Sequence, residues 1–389
     1  MEKKIKAIAT ILGISIIALI AVIVFKYNKL NDNTVPNSPT PAVTDTSTPE
    51  PSATVTPVVS ESPTPTPDAG TEPGNNLVIR TDYEAFKPNE SGDIPIVMFH
   101  RFIEAYEPNT EKEYTTTFAE FEALLQTLYD QGYRLISMRD FIDCNISVPA
   151  GTMPMVFTFD DGTAGQFNLI RENGVLKVNP KSAVGIMIEF NKKYPDFGLK
   201  GIFYVNMDIG DNTFKGEGTL RERFEILEDL GFEIGTHTWG HVDYHKITTA
   251  EAFQESIGKN QEKAEEILPG LRFYSFALPF GHRPKNESLW TYLKEGTYNG
   301  INYNHESIMA VGAEPSVPSI SKKYNSSYVR RIRAQGRVPV DCDLTWWLPK
   351  MTPARMFVSD GDPTTIVVPK DKRDKIDESK LNGKTLIEY

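Results

Sequence analysis

The chain has 389 residues and a formal net charge of −11. That length allows one large domain or two smaller ones, and the acidic balance argues against non-specific binding to nucleic acid. The two cysteines, Cys144 and Cys342, stand in neither a metal-type nor a redox-type spacing and read as free core residues.

The chain opens with MEKKIK, three lysines ahead of the uncharged run AIATILGISIIALIAVIVF at 7–25. As a helix those residues would span roughly 28 Å, the thickness of a bilayer's hydrocarbon layer. A cleaved signal peptide, giving a secreted form, is the competing reading. A shorter apolar core and a small-x-small site would mark it, but FKYNKL follows instead. Residues 1–30 are therefore expected to form a cytoplasmic stub and a single transmembrane anchor. The leading lysines predict a cytoplasmic N-terminus and place the rest outside the cell membrane. Residues 31–76 are rich in Pro, Thr and Ser (TPEPSATVTPVVSESPTPTPDAG) and cannot bury enough apolar surface to offset their ordering entropy. They read as a disordered, extended stalk.

From residue 77 to the end, strand-like and helix-like segments alternate. IPIVMFH (94–100) reads as a buried strand, followed by a helix over about 118–131. Thr117 and Glu120 form a capping box, Phe118, Phe121, Leu125 and Leu128 form an apolar stripe, and Gly132 stops the helix. RLISM and MVFTF read as strands, with a helix expected after Ser182. GIFYVN (201–206) is the next strand. A helix opened by Thr219 with Glu222 ends at Gly231, and FEIG is a strand. Thr248 with Glu251 opens a helix closed by Pro269 and Gly270, and FYSFALPFG gives a further strand and loop. Such alternation implies parallel strands covered by helices, with reactive groups gathered at the carboxyl ends of the strands. A barrel-like α/β pattern fits, and periodicity alone leaves a doubly wound sheet open. The long stretch from Gln166 to Leu199 is a candidate for shaping substrate choice.

Three strand ends carry chemistry. FTFDDGT places Asp160 and Asp161 where a strand leaves the core, although Asp and Gly also favour plain turns. THTWGHVDYH places His237 and His241 four residues apart, a spacing that on a helical turn puts both imidazoles on one face. One carboxylate and two histidines make a three-ligand metal site with open positions. A hydrolytic site also needs a separate base for the attacking water. Adjacent residues at a strand end point in different directions, so each aspartate is free to take one role. His245, four residues beyond His241, reads as structural.

TFDDG (158–162), HTWGH (237–241) and ALPFG (277–281), in that order, resemble the first three motifs of the polysaccharide deacetylases, carbohydrate esterase family 4. The resemblance covers roughly residues 94–345. It implies a distorted (β/α) barrel and removal of acetyl groups from a polysaccharide. It assigns Asp160 as catalytic base and Asp161, His237 and His241 as ligands of one divalent metal. Zn²⁺ leads for that metal, with Co²⁺, Ni²⁺ and Fe²⁺ as alternatives. The Phe280 backbone N–H becomes an oxyanion contact, and Pro279 and Trp239 substrate-binding candidates.

Two departures stand out. Many members carry an Arg two residues before the proline of the third motif, where this chain has Ala277. Arg283, Arg330, Arg331 and Arg333 are candidates for its place, the last three reading as a solvated basic face. Many members also place an acid histidine in a Leu-x-His motif near the C-terminus, and this chain has no histidine beyond His305. The strand ending in His100 is similar to one in a circularly permuted subgroup that includes the poly-N-acetylglucosamine deacetylases. That similarity makes His100 the candidate acid. Asp341, Asp343, Trp346 and Trp347 are candidates for a fourth motif, set against ordinary packing.

The expectation is thus a membrane-anchored, extracellular, metal-dependent hydrolase. It would remove N-acetyl groups from an N-acetylglucosamine-containing polysaccharide of peptidoglycan or poly-N-acetylglucosamine type, with no protein partner implied. The rivals are an O-acetyl xylan esterase and a catalytically inactive wall-polysaccharide-binding module.

Overall fold

A computed structural model describes residues 78–111 and 113–389. The anchor expected over 7–25 and the stalk expected over 31–76 lie outside the described residues. Among those residues no helix is long and apolar enough to cross a membrane.

The strands and helices that build the site are, in chain order, β1 (Ile96–Phe99), α1 (Phe118–Asp130), β2 (Tyr133–Leu135), α2 (Met138–Asp143), β3 (Met153–Asp160), α3 (Ala183–Lys193), β4 (Ile202–Val205), α4 (Leu220–Asp229), β5 (Glu233–Thr236), α5 (Ala250–Ile267), β6 (Ser275–Ala277), β7 (Ser307–Met309) and β8 (Ile332–Arg333). The strands form one curled, all-parallel sheet in the order β7-β6-β5-β4-β3-β1-β8, with β2 beside the start of β3. Residues 329–332 approach both edges of this half-barrel: Val329 pairs with Met309 and Ile332 with Val97.

All eight residues of β3 are buried, as befits a parallel strand covered on both faces. Its period-2 alternation sorts the side chains. Met155, Phe157 and Phe159 join one core cluster with Val97, Phe99, Phe121 and Leu125, whereas Val156 joins the opposite cluster with Ile96, Ile202, Tyr204 and Ala277. In the first, Phe159 stacks on Phe203 at 4.5 Å and Phe99 meets Phe121 and Phe157 edge-on. Each such ring contributes about 1.5–3 kcal/mol by burial. The same alternation assigns Thr158 and Asp160 to the Val156 face, so the first aspartate ends a strand buried on both sides.

Helix starts follow their caps. The capping boxes Thr117/Glu120 and Thr219/Glu222 form as the sequence implies, each cap contributing about 1 kcal/mol. Two readings are corrected and a third is extended. RLISM is strand only to Leu135, because Ser137 and Asp140 make a capping box that starts α2. The cap of α5 is Thr249, whose hydroxyl accepts from the Ala252 N–H, and not Thr248. In the long stretch after Gln166, a β-hairpin (Leu169–Glu172 with Val175–Val178) precedes α3. Cys144 is buried and Cys342 partly so, and both are free.

Candidate active site

The site sits where β3, β5 and β6 end. Asp160 is the last residue of β3. Asp161 and Gly162 follow with φ of +80° and +64°, which swings the second carboxylate away from the first. Gly162 fits there because a Cβ would press on Thr213 and Val205 at 3.2–3.3 Å. Beyond β5 the loop 237–241 carries positive φ at Thr238, Gly240 and His241. It is not a helical turn, so the two imidazoles meet by loop folding and not by helical spacing. Asn206 holds that loop, its side-chain amide donating to the His237 and Thr238 carbonyls at 2.6 and 2.8 Å. Beyond β6, Phe280 also has positive φ (+57°). Left-handed backbone costs about 1–2 kcal/mol at a residue with a Cβ. Three such residues (Asp161, His241, Phe280) line one cleft and Thr238 lies buried in the loop behind it, a concentration of strain typical of functional sites.

That cleft measures about 260 Å³ and is lined by His100, Asp160, Asp161, His237, His241 and Phe280, among others. Asp161 Oδ1 lies 3.6 Å from His237 Nε2 and 3.7 Å from His241 Nε2. One ligand atom from each of the three residues lies within 4.8 Å of the others. His237 Nδ1 makes a 2.8 Å hydrogen bond with the Ala277 carbonyl. Since a carbonyl only accepts, the proton is on Nδ1 and Nε2 presents a lone pair to the cleft. A borderline divalent cation suits this N₂O set.

Asp160 is 1% exposed, and its partner is Arg331, itself wholly buried. Arg331 spans the carboxylate with both terminal nitrogens, at 2.7 and 2.8 Å. It also donates to Thr158 Oγ1 at 3.1 Å and, through Nε, to the Ala310 carbonyl at 2.9 Å. Burial alone would push the Asp160 pKa up. The Arg331 charge, helped by His237 and His100, overrides it and holds the carboxyl well below the usual carboxylate range. Gln166 ties the Asp160 carbonyl to the His100 carbonyl.

His100 ends just past β1 with Nε2 3.8 Å from Asp160 Oδ2 and its ring against Tyr114, while its Nδ1 is buried without a hydrogen-bond partner. Burial lowers its pKa, against the pull of the two aspartates. Phe280 lines the cleft beside His241, ring centroids 4.6 Å apart. In its turn, the Gly281 and His282 N–H groups fold back onto the Leu278 and Pro279 carbonyls.

The structure thus brings Asp160, Asp161, His100, His237, His241 and Phe280 together. It does not bring Trp239 or Pro279 to the cleft lining. Trp239 packs against the core beneath Lys259, and Pro279 is buried under the turn. Reading Arg331 as part of a solvated face is corrected: it is fully buried, while Arg330 and Arg333 pair with Glu314 and Glu113 and Arg283 packs on Trp290 and Tyr328. Asp343 caps the helix Leu344–Trp347, and Trp347 donates to the Ala313 carbonyl, which is ordinary packing. His245 stays out of the Asp161 cluster and stacks on His282. Sequence reading missed Asn206 and Gln166, since a lone amide carries no motif.

Residues 148–301 match the polysaccharide deacetylase family profile. No curated protein sequence matches the chain. Among solved structures, a polysaccharide deacetylase from Bacillus cereus is similar at 21% identity and TM-score 0.48, over 66% of this chain and 68% of that one. A Streptococcus pyogenes deacetylase in complex with acetate is similar at 17% identity and TM-score 0.46, over 68% of this chain and 96% of that one.

Proposed function

We propose that the chain, whose residues 148–301 match the polysaccharide deacetylase family profile, is a hydrolase that removes N-acetyl groups from an extracellular N-acetylglucosamine-containing polysaccharide. The observation that carries the proposal is the pairing, in one cleft, of a three-ligand Asp161–His237–His241 cluster with an adjacent carboxylate clamped by Arg331. Arg331 holds Asp160 although the third motif has Ala277 in place of Arg, and this favours an active site over an inactive module.

Asp161, His237 and His241 would hold one divalent cation, Zn²⁺ by donor set. When bound it would polarise the acetyl carbonyl and lower the pKa of a water, so that even a weak base such as Asp160 suffices. Arg331 occupies one side of each Asp160 oxygen, fixes the carboxylate's plane, and keeps it ionised. Asp160 takes the proton of the attacking water. The Phe280 N–H holds the oxygen that gains charge at the tetrahedral carbon. His100 Nε2, 3.8 Å from Asp160 Oδ2, receives that proton and delivers it to the leaving amine. Its lowered pKa suits this relay, because a neutral imidazole is ready to accept before it donates. Acetate and a free amino sugar result. The anchor and stalk read from residues 7–76 would hold the domain outside the cell, within reach of a wall or surface matrix.

The test is acetate release by the cation-loaded chain from β-1,4- and β-1,6-linked N-acetylglucosamine oligomers and from acetylated xylan. Release from an oligomer in preference to xylan supports the proposal and begins to name the polymer. Release from xylan alone would replace it with an O-acetyl esterase.

A further inference from the structure

The loop that leaves His241 and the turn that follows Phe280 meet a second time, outside the cleft lining. There Asp243, His245 and His282 come together, one ligand atom of each within 4.8 Å of the others. His282 Nδ1 donates to Asp243 Oδ1 at 2.8 Å, and the His245 backbone N–H donates to the same oxygen at 3.1 Å. The His245 and His282 rings lie 3.7 Å apart, their planes within 13°.

An Asp–His pair is complete with His282 alone, so the second imidazole needs its own account. Near-parallel rings so close together approach the face-to-face sandwich, the less favourable stacking geometry. Two imidazoles and a carboxylate at a solvent-reachable spot form an N₂O donor set. Such a set suits Zn²⁺, Ni²⁺ or Cu²⁺ better than Mg²⁺ or Ca²⁺.

We propose that Asp243, His245 and His282 form a second divalent-cation site, of zinc type, that clips the segment after His241 to the turn after Phe280. The cation replaces the proton shared by His282 Nδ1 and Asp243 Oδ1, the imidazole then carrying its proton on Nε2. Zinc bonds of about 2.0–2.2 Å at a tetrahedral angle put two donor atoms roughly 3.4 Å apart, so the 2.8 Å contact opens only slightly. Lys246, 3.5 Å from Asp243 Oδ2 and 80% exposed, swings into solvent. His245 and His282 lie four residues past His241 and two past Phe280, so the clip fixes the turn that presents the Phe280 N–H. The site stands independently of the function proposed above.

Histidine usage makes stoichiometry decisive. The chain has six histidines and none lies within residues 1–77, which also lack cysteine. Four belong to the two clusters, His100 lines the cleft, and His305 is buried. The full chain, stripped with chelator and reloaded with Co²⁺, should retain two equivalents through gel filtration, each with its own visible spectrum. His245→Ala and His282→Ala should each retain one, as should Asp161→Asn combined with His241→Ala. His245 is exposed, so its variant keeps the test open should His282→Ala misfold. One equivalent in the wild type, lost with Asp161→Asn and kept in His245→Ala, overturns the second site. One equivalent that is lost with His245→Ala and survives Asp161→Asn upholds it and removes the cation from the cleft.

Discussion

The cleft has a buried half and an open half, and adjacent or paired residues are divided between them. Asp160 is 1% exposed, its neighbour Asp161 34%; His237 is 2% exposed, its partner His241 36%. The buried half is anchored in regular structure: Asp160 closes β3, and Arg331 reaches it from beside β8. The open half rides on loops with positive φ. Depth thus separates the uses of the two aspartates and the mounting of the two histidines. Burial fixes the orientation and charge of Asp160 and the orientation of His237, which offers its lone pair from a set position, while exposure leaves Asp161 and His241 open to both a cation and a substrate.

Substitutions in each half sharpen this contrast. The largest effect is expected at Asp160: Asp160→Asn should lower kcat for acetate release by about 100- to 10,000-fold, the range for losing a general base. Arg331→Met should leave the Asp160 charge buried and unpaired, costing about 3–5 kcal/mol in urea denaturation, whereas Arg330→Met on the exposed side should stay within about 0.5 kcal/mol. His100→Asn should reduce turnover on an N-acetyl oligomer by about 100-fold; full turnover would end its role as acid. Across the divide, His237→Ala should destabilise the cation-free protein by about 1–3 kcal/mol, since the buried Ala277 carbonyl loses its donor. His241→Ala should abolish cation binding in the cleft with almost no change in stability, and equal losses of stability for the two histidines would erase the distinction drawn here.

The smallest effect is a pH trend. Asp160 titrates in the folded state below its unfolded value of about 3.9. Its ion pair therefore stabilises fully above about pH 4, and that contribution drains away as pH falls towards the folded pKa. Stability curves of wild type and Asp160→Asn should converge below pH 4, and a gap that stays constant would show the pair to be electrostatically idle.

Much of this was legible in the sequence, for identifiable reasons. Alternation of apolar strands with capped helices announced parallel α/β structure, because Thr117/Glu120 and Thr219/Glu222 are local signals that tertiary packing did not override. The Asp-Asp-Gly strand end and the paired histidines marked the cleft because chemistry restricts residue type there. Arg331 was misread because an arginine's burial depends on what crosses above it, here the far edge of the sheet, 171 residues from Asp160 in the chain. The loop conformation of 237–241 escaped for a related reason: Asn206, which holds it, lies on a different strand end. Long-range partners leave no periodic trace.

The most direct test measures bound cation and released acetate together, in the wild type and in Asp160→Asn. The account predicts equal cation in the two proteins and acetate from the wild type alone. Undiminished acetate release by Asp160→Asn, with its cation in place, would contradict the role assigned to the buried half of the site.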